Sequence, residues 1–165
     1  MSRPRRIPDA EIFAAILRLI AAEGEKAVTF SAVARATGLA APSLVQRYGA
    51  LADMVQAALL AEWDRLDALA DTALTEIAAA GKGLQALLKA FGPQATAALL
   101  AASLRDEALR ERAANWRNKV EAALEARLHD GQAAALLFAA WQGQLLWDSL
   151  GSKGFKLKDA IKRLS

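Results

Sequence analysis

The chain has 165 residues, of which 55% are hydrophobic and 24% charged, a balance typical of a globular protein with a buried core. It contains no cysteine and a single histidine, which excludes disulfides, cysteine nucleophiles, histidine triads and multi-histidine metal sites. We therefore expect no metal ion and no cofactor. The longest purely apolar stretch, residues 133–141, is far shorter than the roughly 20 residues of a membrane span, so we expect a cytoplasmic protein with no membrane partner.

The net charge of +3 is distributed unevenly along the chain. Residues 1–50 carry seven basic and four acidic side chains, whereas residues 51–165 carry fourteen of each and are neutral. Clustered positive charge favours a polyanionic partner such as a nucleic acid. Three of the bases, Arg3, Arg5 and Arg6, crowd one N-terminal tail, so the charge supports this interpretation without establishing it.

Local signals predict two helices at the start of the chain. Apolar residues at helical spacing indicate a first helix over residues 9–23, ended by Gly24. Thr29 is a favourable N-cap for a short second helix over residues 30–37. Gly38 suits the turn after that helix, because glycine tolerates a positive φ.

A third short helix is predicted from Pro42 to about Tyr48. Proline is accepted in the first helical turn, and it favours extended geometry for Ala41 just before it. Leu39 and Leu44 should point back to the core. Three helices with a tight turn between the second and third have the layout of a helix-turn-helix module.

The remaining sequence also has helical and no strand periodicity. A long helix with one apolar stripe follows from Leu51 to about Ala79. Further helices are expected over residues 84–91, 94–104, 105–128, 132–150 and 156–164. We therefore predict an all-α protein of about nine helices, with a helix-turn-helix domain over residues 1–50 and a helical bundle over residues 51–165.

The helix over residues 132–150 is apolar nearly all round, so it must be enclosed by other structure. Two-fold dimers are the commonest soluble assembly, and we expect a homodimer through this helix, with residues 156–164 as a second contact. A central core helix in a monomer is the alternative.

One run, "IFAAILRLIAAEGEKAVTFSAVARATGLAAPSLVQRYGALADMV" (residues 12–55), combines an amphipathic helix, a threonine that opens a second helix, and a Thr-Gly-Leu turn. Its characteristic positions are Gly24, Thr29, Val33, Ala34, Thr37, Gly38, Leu39, Leu44 and Tyr48. This combination resembles the DNA-binding domain of the TetR family of transcriptional regulators. The later helices fit that family's ligand-binding and dimerisation bundle in number and order.

The resemblance implies a dimer whose third helices enter successive major grooves of a palindromic operator in double-stranded DNA. Residues carried over by position as DNA contacts are Thr29, Ala41, Pro42, Ser43, Gln46, Arg47 and Tyr48. Arg3, Arg5 and Arg6 would act as a basic arm in the minor groove.

Two positions depart from the family pattern. Val45 stands where the family has a phosphate-binding tyrosine, and Leu51 stands where it has a lysine. Each lost phosphate contact weakens binding. A protein that keeps the fold and binds a ligand or lipid, with weak or no DNA binding, therefore stays open as an alternative.

Regulators of this family usually bind a small molecule in the C-terminal bundle, so the resemblance also implies a small, mostly apolar effector. Candidate ligand-binding residues are Trp63, Phe91, Asn115, Trp116, Phe138, Trp141 and Gln142. Any single aromatic residue among them is equally well explained by core packing.

Acidic pairs are the only candidates for catalysis. Asp106 with Glu107, and Glu121 with Glu125, are explained more simply as the solvated faces of helices. We therefore expect no catalytic residues and no enzyme.

Overall fold

The computed structural model describes residues 7–81, 83–92, 96–148, 150–151, 154 and 156–164. These residues form nine α-helices and one 3-10 turn, with no strand in the described part of the chain. The all-α prediction is confirmed. The helices are α1 (Asp9–Glu23), α2 (Phe30–Thr37), α3 (Ala41–Tyr48), α4 (Leu51–Ala79), α5 (Leu84–Phe91), α6 (Ala97–Ser103), α7 (Glu107–Leu128), α8 (Gly131–Asp148) and α9 (Leu157–Leu164), and the 3-10 turn is Glu25–Ala27.

Local signals set the boundaries of the short helices near the N-terminus. The Thr29 side chain accepts a hydrogen bond from a backbone N–H three residues later, as predicted for the N-cap of α2. Gly38 ends α2 at φ 74° and ψ 11°, the left-handed region that favours glycine. α3 begins one residue earlier than predicted, because Ala40 is the extended cap and Ala41 the first helical residue. Pro42 is still tolerated there, since no N–H in the first turn has an intrahelical partner.

Side-chain caps that the prediction overlooked shift two later helices. The helix expected over residues 94–104 begins at Ala97, where Thr96 caps it, and residues 93–95 lie outside the described residues. The helix expected from residue 105 begins at Glu107, because the Asp106 carboxylate accepts from the backbone N–H of Leu109 at 2.9 Å.

The 29-residue helix α4 joins the N-terminal helices to the rest of the chain. It packs against α1 and α3 on one side and against α5 and α7 further along. Its buried residues are Met54, Val55, Ala58, Leu59, Trp63, Leu66, Ala70, Ala73 and Ile77. One hydrophobic core therefore runs through both predicted domains, and their boundary at residue 50 stays a prediction.

Helix α8 buries only one of its faces within the chain. It runs over Gly131–Asp148 rather than over residues 132–150, and residue 149 lies outside the described part. Leu137 and Trp141 are buried, whereas Leu136 and Trp147 on the other side are 54% and 62% exposed. The described residues of the chain therefore do not enclose this helix on all sides. None of the described helices is long and apolar enough to cross a membrane.

Candidate functional site

The outer face of α3 is the first candidate site. Leu44 is fully buried and fixes the helix on the core. Pro42, Ser43 and Gln46 are exposed on the opposite side, while Ala41 is half-buried and packs against the core. Three of the predicted DNA contacts, Pro42, Ser43 and Gln46, therefore share one solvent-facing surface.

Arg47 and Tyr48 make contacts that the sequence did not reveal. The Arg47 guanidinium donates from Nη1 to the carbonyl oxygen of Ile7 at 2.8 Å, and its Nη2 lies 2.9 Å from Oδ1 of Asp9. The Tyr48 hydroxyl donates to the same carboxylate. Both side chains, expected as DNA contacts, thus hold the end of α3 against the start of α1.

Tyr48 is fixed as a hydrogen-bond donor by this arrangement. Burial, followed by the hydrogen bond to Asp9, raises the pKa of the phenol well above its ordinary value of 10.0. The guanidinium of Arg47 also lies 5.7 Å from the centre of the Tyr48 ring. The neutral phenol and the Arg47–Asp9 ion pair therefore act as one structural unit.

The described part of the helix-turn-helix region has no net charge. Residues 7–50 contain four basic and four acidic side chains. The positive excess of the first fifty residues thus comes from Arg3, Arg5 and Arg6, and this predicted basic arm lies outside the described residues.

The two departures from the family pattern differ in their surroundings. Val45 is 45% exposed on α3, so an apolar side chain lies beside the polar face. Leu51 is half-buried and packs against the core at the start of α4. Neither side chain can donate a hydrogen bond to a phosphate. Thr29, by contrast, is exposed and accepts the cap bond through its oxygen, so its hydroxyl hydrogen remains for another acceptor.

The aromatic candidates of the bundle form one cluster. Trp116 lies at its centre, with ring centroids 5.8 Å from Trp63, 5.9 Å from Phe138 and 6.3 Å from Trp141. Phe91 joins through Trp141 at 5.9 Å. These five candidate side chains therefore lie together in the fold, and their role in ligand binding stays a prediction, because packing of this kind is also what a core requires.

A cavity of about 390 Å³ lies beside this cluster, between α4, α6, α7 and α8. This is within the range of roughly 300–1,000 Å³ that ligand pockets occupy. Four of the predicted residues line it: Trp63, Trp116, Phe138 and Gln142. Phe91 and Trp141 do not line this cavity, and Asn115 is exposed on the outer side of α7.

Other residues of the cavity wall were missed from the sequence. They are Leu100, Ser103, Leu104, Arg110, Ala113, Ala114 and Arg117. Arg110 and Arg117 bring positive charge to a wall that is otherwise mostly apolar. Their spacing of seven residues would place both on one face of α7, which is the signal that could have found them.

Some polar groups beside the cavity have hydrogen-bond partners and others do not. Trp63 Nε1 donates to Ser103 Oγ at 3.1 Å, and that hydroxyl donates to the carbonyl of Leu99 at 2.9 Å. By contrast, Trp116 Nε1 and Gln142 Nε2 are buried and have no hydrogen-bond partner among the described residues.

The junction between α6 and α7 links the cavity region to the N-terminal helices. Arg105 Nη2 lies 2.7 Å from Glu25 Oε2 in the 3-10 turn. Gln56 of α4 donates to Asp106 Oδ2 at 2.6 Å. Hydrogen bonds from the Leu109 backbone, and then from Gln56, lower the pKa of Asp106, so this carboxylate is charged at neutral pH. The neighbouring Ser103 and Leu104 line the cavity, so one short segment joins the cavity wall to the 3-10 turn and to α4.

One member of each acidic pair considered for catalysis has a structural partner. Asp106 caps α7, and Glu121 accepts from Nε of Arg117 at 2.7 Å. Among the described residues, no group of three or more histidine, aspartate or glutamate side chains is placed to hold a metal ion.

Comparison with known proteins gives one structural likeness. Neither a protein-family model nor a curated protein sequence matches the chain. The fold is similar to that in the crystal structure of the multidrug binding protein EbrR complexed with imidazole, with a TM-score of 0.68 and 24% sequence identity over 97% of this chain and 94% of that one. The chain therefore has the TetR-type fold that the resemblance implied, over the N-terminal helices and the bundle together.

Proposed function

We propose that this protein is a cytoplasmic, TetR-like transcriptional regulator, and specifically a repressor. It would bind a palindromic operator in double-stranded DNA as a homodimer and respond to a small, mostly apolar ligand. The observation that carries the proposal is the polar outer face of α3 on an intact helix-turn-helix, in a fold shared along nearly its whole length with a multidrug binding protein.

Base recognition is assigned to the exposed side of α3. Gln46 has the donor and acceptor pair that suits adenine, and Ser43 can serve several bases. Pro42 and the partly exposed Ala41 offer apolar contact to a thymine methyl group. Within the described part of the chain, the side chains of Ser43 and Gln46 form no hydrogen bond, so both are free to meet a base edge.

Affinity would come mainly from phosphate contacts. Since residues 7–50 carry no net charge, the proposal assigns most of the attraction to Arg3, Arg5 and Arg6. Thr29 adds a neutral donor at the start of α2. Arg47 can reach a phosphate only when its ion pair with Asp9 opens or is shared.

Dimerisation is proposed through the outer face of α8. Leu136, Ala139, Gly143 and Trp147 follow a spacing of three, four and four residues, which puts them on one side of the helix. Leu136 and Trp147 are exposed, and the small residues between them allow a second helix to approach closely. Helix α9 packs against α8 and would border the interface.

Control by a ligand is proposed to act through the junction of α6 and α7. A ligand in the cavity contacts Leu104, and the next residue, Arg105, forms the ion pair with Glu25 near the N-terminal helices. Such a contact regulates DNA binding only if the ligand binds more tightly to one arrangement of the two helix-turn-helix modules of the dimer than to another.

The alternative function is a ligand- or lipid-binding protein of the same fold with weak or no DNA binding. It is favoured by Val45 and Leu51, which offer no phosphate contact, and by the ion pair that occupies Arg47.

A binding assay separates the two functions. The full chain is titrated into duplex DNA from the flanks of its own coding region and into a shuffled duplex, at two salt concentrations. We expect a preference for the flanking DNA that is lost in the variant carrying Ser43→Ala and Gln46→Ala, both exposed positions that do not support the core. Absence of any preferred complex at low salt would support the alternative function.

A further inference from the structure

The charged groups of the cavity wall all have the same sign. Among the described residues, no aspartate, glutamate, lysine or histidine lines the cavity, and the ionised side chains of its wall are Arg110 and Arg117. Arg117 is largely neutralised, because its Nε lies 2.7 Å from Oε1 of Glu121. Its guanidinium also lies 5.5 Å from the centre of the Phe138 ring, at the cavity.

Arg110 is the less compensated of the two. Its Nη2 donates to the carbonyl oxygen of Leu104 at 3.2 Å, and no ion pair joins it to a carboxylate among the described residues. The neighbouring Asp106 interacts electrostatically with Arg110 but forms no ion pair with it, and its oxygens accept hydrogen bonds from the backbone of α7 and from Gln56. The cavity therefore presents one guanidinium with donors left for an anionic group.

Two neutral donors on the same wall also lack partners. Only 3% of the Trp116 surface is exposed, and its indole N–H, which can act only as a donor, has no partner among the described residues. Gln142 Nε2 is buried and unpaired beside it on the cavity wall. Buried polar groups are nearly always hydrogen-bonded, so either donor could take an acceptor, whether a water or a ligand atom, if its side chain turns toward the cavity.

We infer that the cavity binds an amphipathic organic anion. Its flat apolar body lies against Trp63, Trp116 and Phe138, and its carboxylate-type group is directed toward Arg110. This inference rests on the ligand-binding half of the proposed function and narrows it. A cationic ligand would be repelled by the two arginines, with no carboxylate among the described residues of the wall. A purely apolar ligand would make no use of the Arg110 donors.

The test is calorimetric titration of the full chain with three probes that share one aromatic body: 2-naphthoate, 2-naphthalenemethanol and 2-naphthylmethylammonium. We expect the carboxylate to bind about tenfold more tightly than the alcohol, the scale of one hydrogen bond to a charged group, and the ammonium to bind most weakly. Equal binding of acid and alcohol, or tightest binding of the ammonium, overturns the inference. Absence of naphthoate binding overturns it as well.

Matched variants locate the site. Arg110→Gln should weaken naphthoate binding about tenfold and leave the alcohol unchanged. Arg112→Gln is the control, because Arg112 lies on the same helix, pairs with Asp64 at 2.7 Å and does not line the cavity. Equal losses in both variants would indicate a general charge effect and contradict the inference.

A third variant tests the cavity itself without relying on charge. Ala113→Leu should fill the space and abolish binding of acid and alcohol alike, with helix content and melting temperature measured in parallel to show that the chain is folded. Unchanged binding in a folded Ala113→Leu protein places the ligand elsewhere. If the cavity does not bind the anion, the proposal that the protein is a DNA-binding regulator is unaffected, because preference for operator DNA is measured with no ligand present.

Discussion

Replacing Asp9 with asparagine should strengthen DNA binding and make it more sensitive to salt. Asp9 holds the only basic side chain of α3 in an ion pair of 2.9 Å. Asparagine keeps a side-chain oxygen for the Tyr48 hydroxyl but removes the charge that competes with phosphate for Arg47. The substitution therefore releases a phosphate contact without emptying the space between α1 and α3.

The effect follows from counterion release. Each additional phosphate neutralised adds about 0.9 to the slope of log K against log salt concentration, so two subunits add about 1.8. Between about 50 and 200 mM salt, that increment makes affinity fall about 12-fold further than in the wild type. The stability cost should be small, because the Arg47 and Asp9 side chains are 32% and 51% exposed and such pairs contribute about 0–1 kcal/mol.

The assay is fluorescence anisotropy of a labelled operator duplex over a series of salt concentrations. Wild type, Asp9→Asn, Arg47→Ala and the double variant are compared, with melting temperatures as a check on folding. The steeper slope should appear in Asp9→Asn and vanish in the double variant. A slope that Asp9→Asn leaves unchanged, or that is equally steep in the double variant, would refute the reasoning, since the latter reports only the loss of a negative charge.

Three further substitutions test other parts of the account. Gln46→Ala should reduce the free energy of binding by about 1–3 kcal/mol for duplexes with the preferred base pair and leave it unchanged for duplexes mutated at that pair, as measured by competition. An equal loss for all duplexes would show that Gln46 contacts the DNA backbone instead of a base. Trp147→Ser should weaken the dimer by about 3 kcal/mol per subunit, because the Trp147 side chain is 62% exposed in the single chain and each Å² of apolar surface that a dimer buries contributes about 25 cal/mol. Sedimentation should then show monomers, whereas an intact dimer would exclude this face as the interface. Thr29→Ala should lower the free energy of unfolding by about 1 kcal/mol in urea titration while Thr29→Ser has little effect; equal losses would show that the methyl group, not the cap bond, matters.

The fold could be predicted where its signals are local. The bounds of α1, α2 and α4 follow from helical periodicity, the Thr29 cap and glycine at the turns, all of which act within a few residues. Errors arose where a side chain set the boundary, as Asp106 does for α7.

The sites were predicted less completely because their residues meet through tertiary packing. The pair between Arg47 and Asp9 joins positions 38 residues apart, and nothing in either neighbourhood indicates it. Asn115 was chosen for its polarity beside Trp116, but adjacent residues on a helix point about 100° apart, and the structure leaves Asn115 exposed. The aromatic candidates stand out in the sequence because they are large and apolar, whereas the only sequence signal of the two cavity arginines is their seven-residue spacing, which surface residues of a helix also show.

The central claim is that two copies of α3 read DNA together, and hydroxyl-radical footprinting on the flanking DNA tests it most directly. We predict two protected patches with related sequences, centred about 34–36 Å apart or a multiple of that distance, as a two-fold dimer in successive major grooves requires. Both patches should disappear together in the variant with Ser43→Ala and Gln46→Ala. A single patch, or uniform protection along the fragment at low salt, would contradict the account.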